Sequence, residues 1–406
     1  MKYKLKELCI YENNKILVSN LDKEEYISTE NMVSNFGGTN LASSIPISGK
    51  ATKFEKNMIL ISNIRPYFKK MIFAELEGGC SNDVLVLKKN SEKVNDKFLF
   101  YSLLNNDFFN YIMSTSKGTK MPRGDKSAIM EYEINVPEYN IQGKIVKFIE
   151  YIDNHIKNNN ETNNNLSEIS QNLYKRWFIN FEFPNQDGKP YKSSGGKMVG
   201  SELGMIPENW EVGFIDDGKL TKIIKSGVAK FKKEKKYIAT ADVEKTTMKS
   251  FTFIDYNSKP SRANMTPIPN SIWFAKMQDS VKNMMVASYM NNILDNYIFS
   301  TGFMGIECLK NSMFYIWNYI NSDAFFSLKN NLSTGTLMAG ISNTTIVGCK
   351  YVIPTESILN LFNNEMQKTN ESIYNNEQEN IVLEKLRDTL LPKLMNGEID
   401  LVKIEI

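Results

Sequence analysis

Tyr26-Ile27-Ser28-Thr29 recurs as Tyr237-Ile238-Ala239-Thr240, 211 residues further on, and this echo decides the reading of the whole 406-residue chain. Three more matches follow in the same order. Lys70-Met71-Ile72-Phe73-Ala74 is answered by Asn283-Met284-Met285-Val286-Ala287 at an offset of 213. Gly118-Thr119-Lys120-Met121 is answered by Gly335-Thr336-Leu337-Met338, and Val136-Pro137 by Ile353-Pro354, both at 217. An offset that drifts slowly in one direction is what loop insertions in a duplicated domain produce. Two copies are too few for a solenoid, so each copy is expected to be a globular unit with its own core.

Within each copy the apolar residues come in short runs, such as Met58 to Ile64, Val84 to Leu87, Ile272 to Phe274 and Tyr351 to Ile353, which read as strands. Turn-forming pieces such as Phe36-Gly37-Gly38-Thr39-Asn40 separate them, while Lys97 to Met113 and Ser312 to Asn331 read as helices. The expected fold class is α/β (mixed α+β): two tandem globular domains, each followed by a long helix.

After each Pro landmark the apolar period changes. Ile145, Phe148/Ile149, Ile152, Ile156, Leu166, Ile169, Leu173 and Trp177 follow three-and-four spacing, as do Ile358, Phe362, Thr369, Ile373, Leu383, Leu386, Leu390 and Leu394. Pro392 is expected to kink the second helix, and Asn396-Gly397 to cap it. A helix from Ile141 to Phe178 would run roughly 55 Å at ~1.5 Å per residue. The asparagine-rich stretch Asn158 to Asn165 is poor in helix propensity; facing Asn370 to Asn380, it would fix the register between the two helices at some cost in stability, the alternative being a loop that splits each helix. Between the halves, 184–207 has the composition of a flexible connector. The expected boundaries are 1–140, 141–183 (helix), 184–207 (linker), 208–356, and 357–406 (helix and tail).

Composition excludes several function classes. The start of the chain has no signal-like apolar run, and about 18 consecutive apolar residues occur nowhere, so a cytoplasmic protein without membrane contact is expected. Cys9, Cys80, Cys308 and Cys349 lie far apart, without CxxC spacing, and read as buried free thiols. The single histidine, His155, falls in the helix seam, so neither a Ser–His–Asp set nor a His-based metal site can be assembled. Ser44 to Thr52 departs from a phosphate loop at its first Gly and at the residue after Lys50, and Asp83 to Lys88 lacks the second carboxylate of a nuclease site. No GxGxxG follows a strand. The expectation is a non-catalytic protein with no cofactor and no metal, whose activity is binding.

A net charge of +3 makes distribution more informative than total. In the first copy Arg65, Lys69 and Lys70 share one loop and Lys117, Lys120, Arg123 and Lys126 another; in the second, Lys230, Lys232, Lys233, Lys235 and Lys236 form the densest run, with Arg262, Lys276 and Lys282 elsewhere. For a nucleic-acid partner these would be the candidate DNA-binding residues, since phosphate contacts need Lys or Arg and base reading needs Arg, Asn or Gln. Tyr174, Trp177 and Phe178, at the end of the first helix, are candidates for binding a partner.

The chain resembles the specificity subunits of Type I restriction–modification systems over nearly its whole length. The resemblance is carried by Asn31-Met32 through Ile61-Ser62-Asn63-Ile64-Arg65-Pro66-Tyr67-Phe68-Lys69-Lys70, by Ser201-Glu202-Leu203-Gly204-Met205-Ile206-Pro207-Glu208-Asn209-Trp210-Glu211-Val212, and by Arg387-Asp388-Thr389-Leu390-Leu391-Pro392-Lys393-Leu394-Met395-Asn396-Gly397-Glu398-Ile399. The second copy departs from the first where Lys276-Met277-Gln278-Asp279-Ser280 replaces Asn63 to Tyr67. The resemblance implies two target-recognition domains held apart by two antiparallel helices and reading a bipartite, gapped sequence in double-stranded DNA. The partners it implies are two adenine methyltransferase subunits, docked on the helices, and restriction motor/nuclease subunits. The competing reading is a coiled-coil adaptor that binds protein and has no DNA specificity.

Overall fold

The computed structural model describes residues 1–335 and 339–399. Thr336, Leu337 and Met338 of the third repeat match, and the end of the C-terminal tail, lie outside the described residues. The chain forms two compact units, Met1–Asn159 with Gln378–Ile406, and Asn160–Glu377.

In the first unit the strands are β1 (Lys2–Lys4), β2 (Cys9–Tyr11), β3 (Lys15–Leu17), β4 (Tyr26–Ile27), β5 (Lys50–Phe54), β6 (Ile59–Ser62), β7 (Met71–Phe73), β8 (Gly78–Cys80), β9 (Val84–Lys89) and β10 (Glu133–Asn135). Helices α1 (Asp96–Leu103), α2 (Asn106–Ser114) and α3 (Lys126–Ile129) follow β9, and α4 (Tyr139–Tyr174) starts here. One sheet has the order β2-β9-β6-β7 and another β3-β5-β8-β4, while β1 pairs with β10. The apolar runs fill the core: Ile59, Ile61, Leu85 and Leu87 face α1 and α2 through Phe98, Leu99, Phe108 and Phe109, and Leu60 and Val86 point to the opposite face. That split is the strand period of two, with both faces buried.

The second unit contains β11 (Met198–Ser201), β12 (Gly204–Pro207), β13 (Glu211–Phe214), β14 (Thr221–Ile223), β15 (Lys235–Ile238), β16 (Val243–Glu244), β17 (Thr247–Met248), β18 (Thr252–Ile254), β19 (Ala263–Met265), β20 (Ser271–Ala275), β21 (Asn283–Val286), β22 (Tyr297–Ser300), β23 (Phe303–Cys308) and β24 (Lys350–Ile353). Its helices are α5 (Asn291–Asn296), α6 (Met313–Ile320) and α7 (Asp323–Leu332), and α8 (Glu356–Met395) leaves it.

The duplication is visible in the pairing. β14-β23-β20-β21 repeats the order β2-β9-β6-β7, and β13 with β24 repeats β1 with β10. Tyr26-Ile27 and Tyr237-Ile238, the opening match, are both strands paired in parallel, β4 on β8 and β15 on β22, amid antiparallel neighbours.

Both long helices are continuous, α4 over 36 residues and α8 over 40, so the asparagine stretch is helical rather than a loop. Tertiary partners override its poor propensity. In the first unit Asn159 Nδ2 donates to Asn380 Oδ1 at 3.0 Å and Asp153 pairs with Arg387. In the second, Asn376 Nδ2 donates to Asn163 Oδ1 at 2.8 Å. As the first index rises the second falls, so the helices pair antiparallel. Gly397 ends α8 with a positive φ of 74° and its N–H on Leu394 O, the cap that Asn396-Gly397 predicted.

Three expectations change. The spacing puts Ile169 and Leu386 on the seam, but both face solvent, and Leu359, Met366 and Leu391 hold buried positions instead; a straight helix drifts away from a heptad seam. The segment 184–207 is built rather than flexible: β11 and β12 form a hairpin, and Phe183 stacks on both Tyr191 and Trp210 at 4.6 and 4.8 Å. The compact units divide within α4 and α8, so each unit takes a globular domain plus part of both helices, where the sequence boundaries gave each helix a segment of its own. The four cysteines are free and buried, as expected. No helix among the described residues is long and apolar enough to cross a membrane.

Candidate nucleic-acid interface

In the first unit the turn between β6 and β7 (residues 63–70) lies against the loop between α2 and α3. Isolated bridges join Ile64 to Arg123 and Arg123 to Lys117. Arg65 N donates to Pro122 O at 2.8 Å, and Gly124 N to Asn63 O at 3.2 Å. The approach requires glycine at 124, because a Cβ there would stand 2.9 Å from Asn63 Oδ1 and 2.8 Å from Ile112 Cγ2.

The second unit repeats these backbone contacts, with Ile341 in the place of Gly124. Bridges join Met277 to Gly340 and Gly340 to Thr334. Gln278 N donates to Ala339 O at 2.9 Å, and Ile341 N to Lys276 O at 2.9 Å. Gly118 and Gly335 open the two facing loops, with φ of 93° and 121°. A lysine at the far end of each turn ties it down identically: Lys70 Nζ donates to Thr29 O at 2.7 Å and Lys282 Nζ to Thr240 O at 2.6 Å. The frame is thus held in common, and by backbone.

The side chains on that frame differ. In the first unit they are basic. Lys117 pairs with Asp125 at 2.7 Å, Arg123 with Asp83 at 3.1 Å, and Lys70 is spent on Thr29. Arg65 stands apart: its backbone is left-handed, with φ 49°, and its Nε is buried with no partner. Lys69, also left-handed at φ 50°, is half-buried, and Lys120 and Lys126 are exposed. Sequence reasoning grouped these seven residues as two loops; the structure brings the two loops together.

In the second unit the basic candidates do not gather there. Lys276 is half-buried in the turn, with burial lowering its pKa, and Lys282 is the tie. Lys235 and Lys236 belong to β15, where Lys236 sits over the rings of Phe251 and Tyr297 at 4.6 and 5.1 Å and Lys235 over Phe231 at 5.7 Å. Lys230, Lys232 and Lys233 are exposed on the segment leading into that strand, and Arg262 is exposed just before β19. What occupies the turn is polar and neutral or acidic: Gln278, and Asp279, whose carboxylate and backbone N–H both bind the Asn330 side-chain amide. Lys329 in α7 reaches beneath the turn, donating to the carbonyls of Ala275, Met277 and Ser280; burial pushes its pKa down to about 8. Ile112 holds the matching place in α2. A charge-based search finds Lys276 and Lys282 here but overlooks Gln278, because glutamine carries no charge.

The aromatic candidates for partner binding are corrected outright. Tyr174, Trp177 and Phe178 are 4, 6 and 2% exposed, packed against Trp210, Tyr315 and Phe362 in the core of the second unit. A helix end rich in aromatics is buried by residues that lie far along the chain, and helical spacing does not reveal them. The apolar side chains that α8 does expose are Leu361, 39% accessible, in the second unit and Ile381, Val382 and Leu386, 56, 64 and 42% accessible, in the first.

Comparison with known proteins agrees over both units. Residues 1–168 match the model of the Type I restriction modification DNA specificity domain. The chain is 26% identical over 328 residues to the MjaIX specificity subunit of Methanocaldococcus jannaschii, covering 75% of the chain and 69% of that protein. It is 23% identical to the HindI specificity subunit of Haemophilus influenzae, covering 92% of the chain and 94% of the relative. Its fold resembles the crystal structure of the Type-I restriction-modification system S subunit from M. genitalium, with a TM-score of 0.55 at 13% identity over 97% of this chain and 96% of that one.

Proposed function

We propose that the chain is a specificity subunit of a Type I restriction–modification system, like the relatives it resembles, and that each of its two globular domains reads one half of a bipartite, gapped DNA sequence through the turn-and-loop frame described above. The observation that carries this reading is the repetition of one backbone frame with different side chains. A sequence reader needs a constant scaffold to set its docking and variable groups to reach base edges. Arg65, Lys69 and Lys120 on one frame, and Gln278 on the other, meet that requirement.

Lys230, Lys232, Lys233, Arg262 and Lys126 are assigned to phosphates, which position the protein without specifying sequence. The chemistry belongs to partners: two adenine methyltransferase subunits and, in a restricting complex, motor/nuclease subunits. The exposed apolar edge of α8 at Ile381, Val382 and Leu386 is assigned to the methyltransferase, because an apolar helix edge in water favours a protein partner.

The deciding experiment is methylome sequencing of a host expressing this chain with the methyltransferase encoded beside it, against the methyltransferase alone. N6-methyladenine at one gapped motif, present only with this chain, is the expected result. Methylation that this chain leaves unchanged, with both proteins soluble, would overturn the reading.

A further inference from the structure

We infer that Arg65 and Gln278 are paired specificity determinants, occupying one structural position in the two domains, and that Arg65 reads a guanine in one half-site while Gln278 reads an adenine in the other. The inference rests on the proposed function and narrows it to two side chains.

Position is the first argument. Arg65 N and Gln278 N make the same hydrogen bond, to Pro122 O at 2.8 Å and to Ala339 O at 2.9 Å, in turns bridged in the same way to the facing loop. The two residues therefore stand at the same point of a shared frame, Arg65 on a left-handed backbone and Gln278 on an ordinary one.

Availability is the second. Around Arg65, three of the frame's cations are engaged, Lys70 on a carbonyl and Lys117 and Arg123 on carboxylates, which leaves Lys69 and Lys120 beside it. The Arg65 Nε has no partner and Asn63 Oδ1, in the same turn, has none either. A buried guanidinium nitrogen left unpaired is costly, and the left-handed backbone at φ 49° adds strain for a non-glycine residue. Both costs are offset when a bound acceptor takes the guanidinium. On the other frame, Asp279 is neutralised as a competitor by Asn330, while Gln278 is exposed with its amide unspent.

Chemistry supplies the bases. A guanidinium matches guanine O6 and N7 with two parallel donors, and a carboxamide matches adenine N6 and N7 with one donor and one acceptor. The substitution of one for the other at a single framed position is the change expected if two domains descended from one reader and came to read different bases.

The test uses the assembled methyltransferase complex and a library of duplexes in which every half-site position is randomised, read out as relative methylation rate. Arg65→Lys keeps the charge and loses the fork; Gln278→Ala removes the amide. For Arg65→Lys, discrimination at one guanine is expected to fall at least roughly tenfold, with the other half-site unchanged. Gln278→Ala is expected to relax one adenine in the opposite half-site by a similar factor. A uniform drop in rate with all base preferences intact would assign the residues to phosphate binding or folding and overturn the inference, as would unchanged preferences. A wild-type complex that selects no gapped motif would instead overturn the parent reading.

Discussion

Asp153 and Arg387 form an ion pair at 2.9 Å between the two long helices of the first unit, and the other Asp153 oxygen accepts the hydroxyl of Tyr101 at 3.0 Å. One carboxylate thus fastens α4 both to α8 and to the globular domain. Both partners of the ion pair are mostly shielded, so removing one leaves a charge poorly solvated. Asp153→Ala is expected to destabilise the first unit by about 2 kcal/mol in urea unfolding. Asp153→Ala with Arg387→Met should cost less than the sum of the single changes, a coupling that a double-mutant cycle measures directly.

The asparagine contacts between the helices predict the opposite sign. Asn163 and Asn376 bond at 2.8 Å where apolar residues would pack better. The pair Asn163→Leu with Asn376→Leu is expected to stabilise the second unit by about 1–2 kcal/mol, through propensity and burial. Loss of the register marker should broaden the single gap length in the methylated motif to a mixture. A thermal melt and a methylome check the two halves of this prediction; a melting point that falls would remove the packing argument.

Glu377 on α8 gives the second unit a pH dependence. Burial pushes its pKa up to about 7, opposed by Lys249, with Tyr289, Tyr374 and Glu371 also nearby. The folded-state pKa lies above the unfolded one, so the contribution is fully present below the ordinary carboxyl range and is lost as pH rises through about 7. Glu377→Gln is expected to leave stability at pH 5 nearly unchanged and raise it at pH 8 by about 2 kcal/mol. Equal melting-point differences at the two pH values would show that Glu377 is not the titrating group.

The exposed side chains of α8 predict a change in assembly without a change in fold. Ile381→Glu and Val382→Glu place charge on residues already more than half accessible, so the melting temperature should hold within about a degree for changes under ~0.5 kcal/mol. Co-purification of the methyltransferase subunit is expected to fall at least roughly tenfold. Normal recovery of the complex would move the docking surface elsewhere.

The scaffold was legible in the sequence wherever local pattern and tertiary role coincide. Tyr26-Ile27 and Tyr237-Ile238 are recognisable because a buried parallel strand tolerates few residue types, so the two copies kept them. The helix partners of Asn159 and Asn163 were legible as a polar match and a continuous helix was the leading reading, but only contacts from the far end of the chain decide it against a splitting loop. Trp177 and Phe178 misled because helix period marks an apolar face without telling whether solvent or Trp210 and Phe362 covers it. Gln278 escaped notice for a different reason. It becomes significant only through its backbone equivalence to Arg65, and that equivalence appears in hydrogen bonds rather than in residue type.

Lys329 grips three carbonyls beneath the Gln278 turn, while Ile112, equally placed in α2, packs into the core of the first unit. One turn is therefore clasped by a proton-dependent cation, and the other has at that place a hydrocarbon with nothing to titrate. With its pKa near 8, Lys329 releases its third proton in mildly alkaline solution, and the clasp then loses both its charge and one donor. The accuracy of the two halves should part company as the medium turns alkaline. Methylation at pH 9 compared with pH 7 is expected to tolerate more errors in the half-site served by Gln278, and no more in the one served by Arg65.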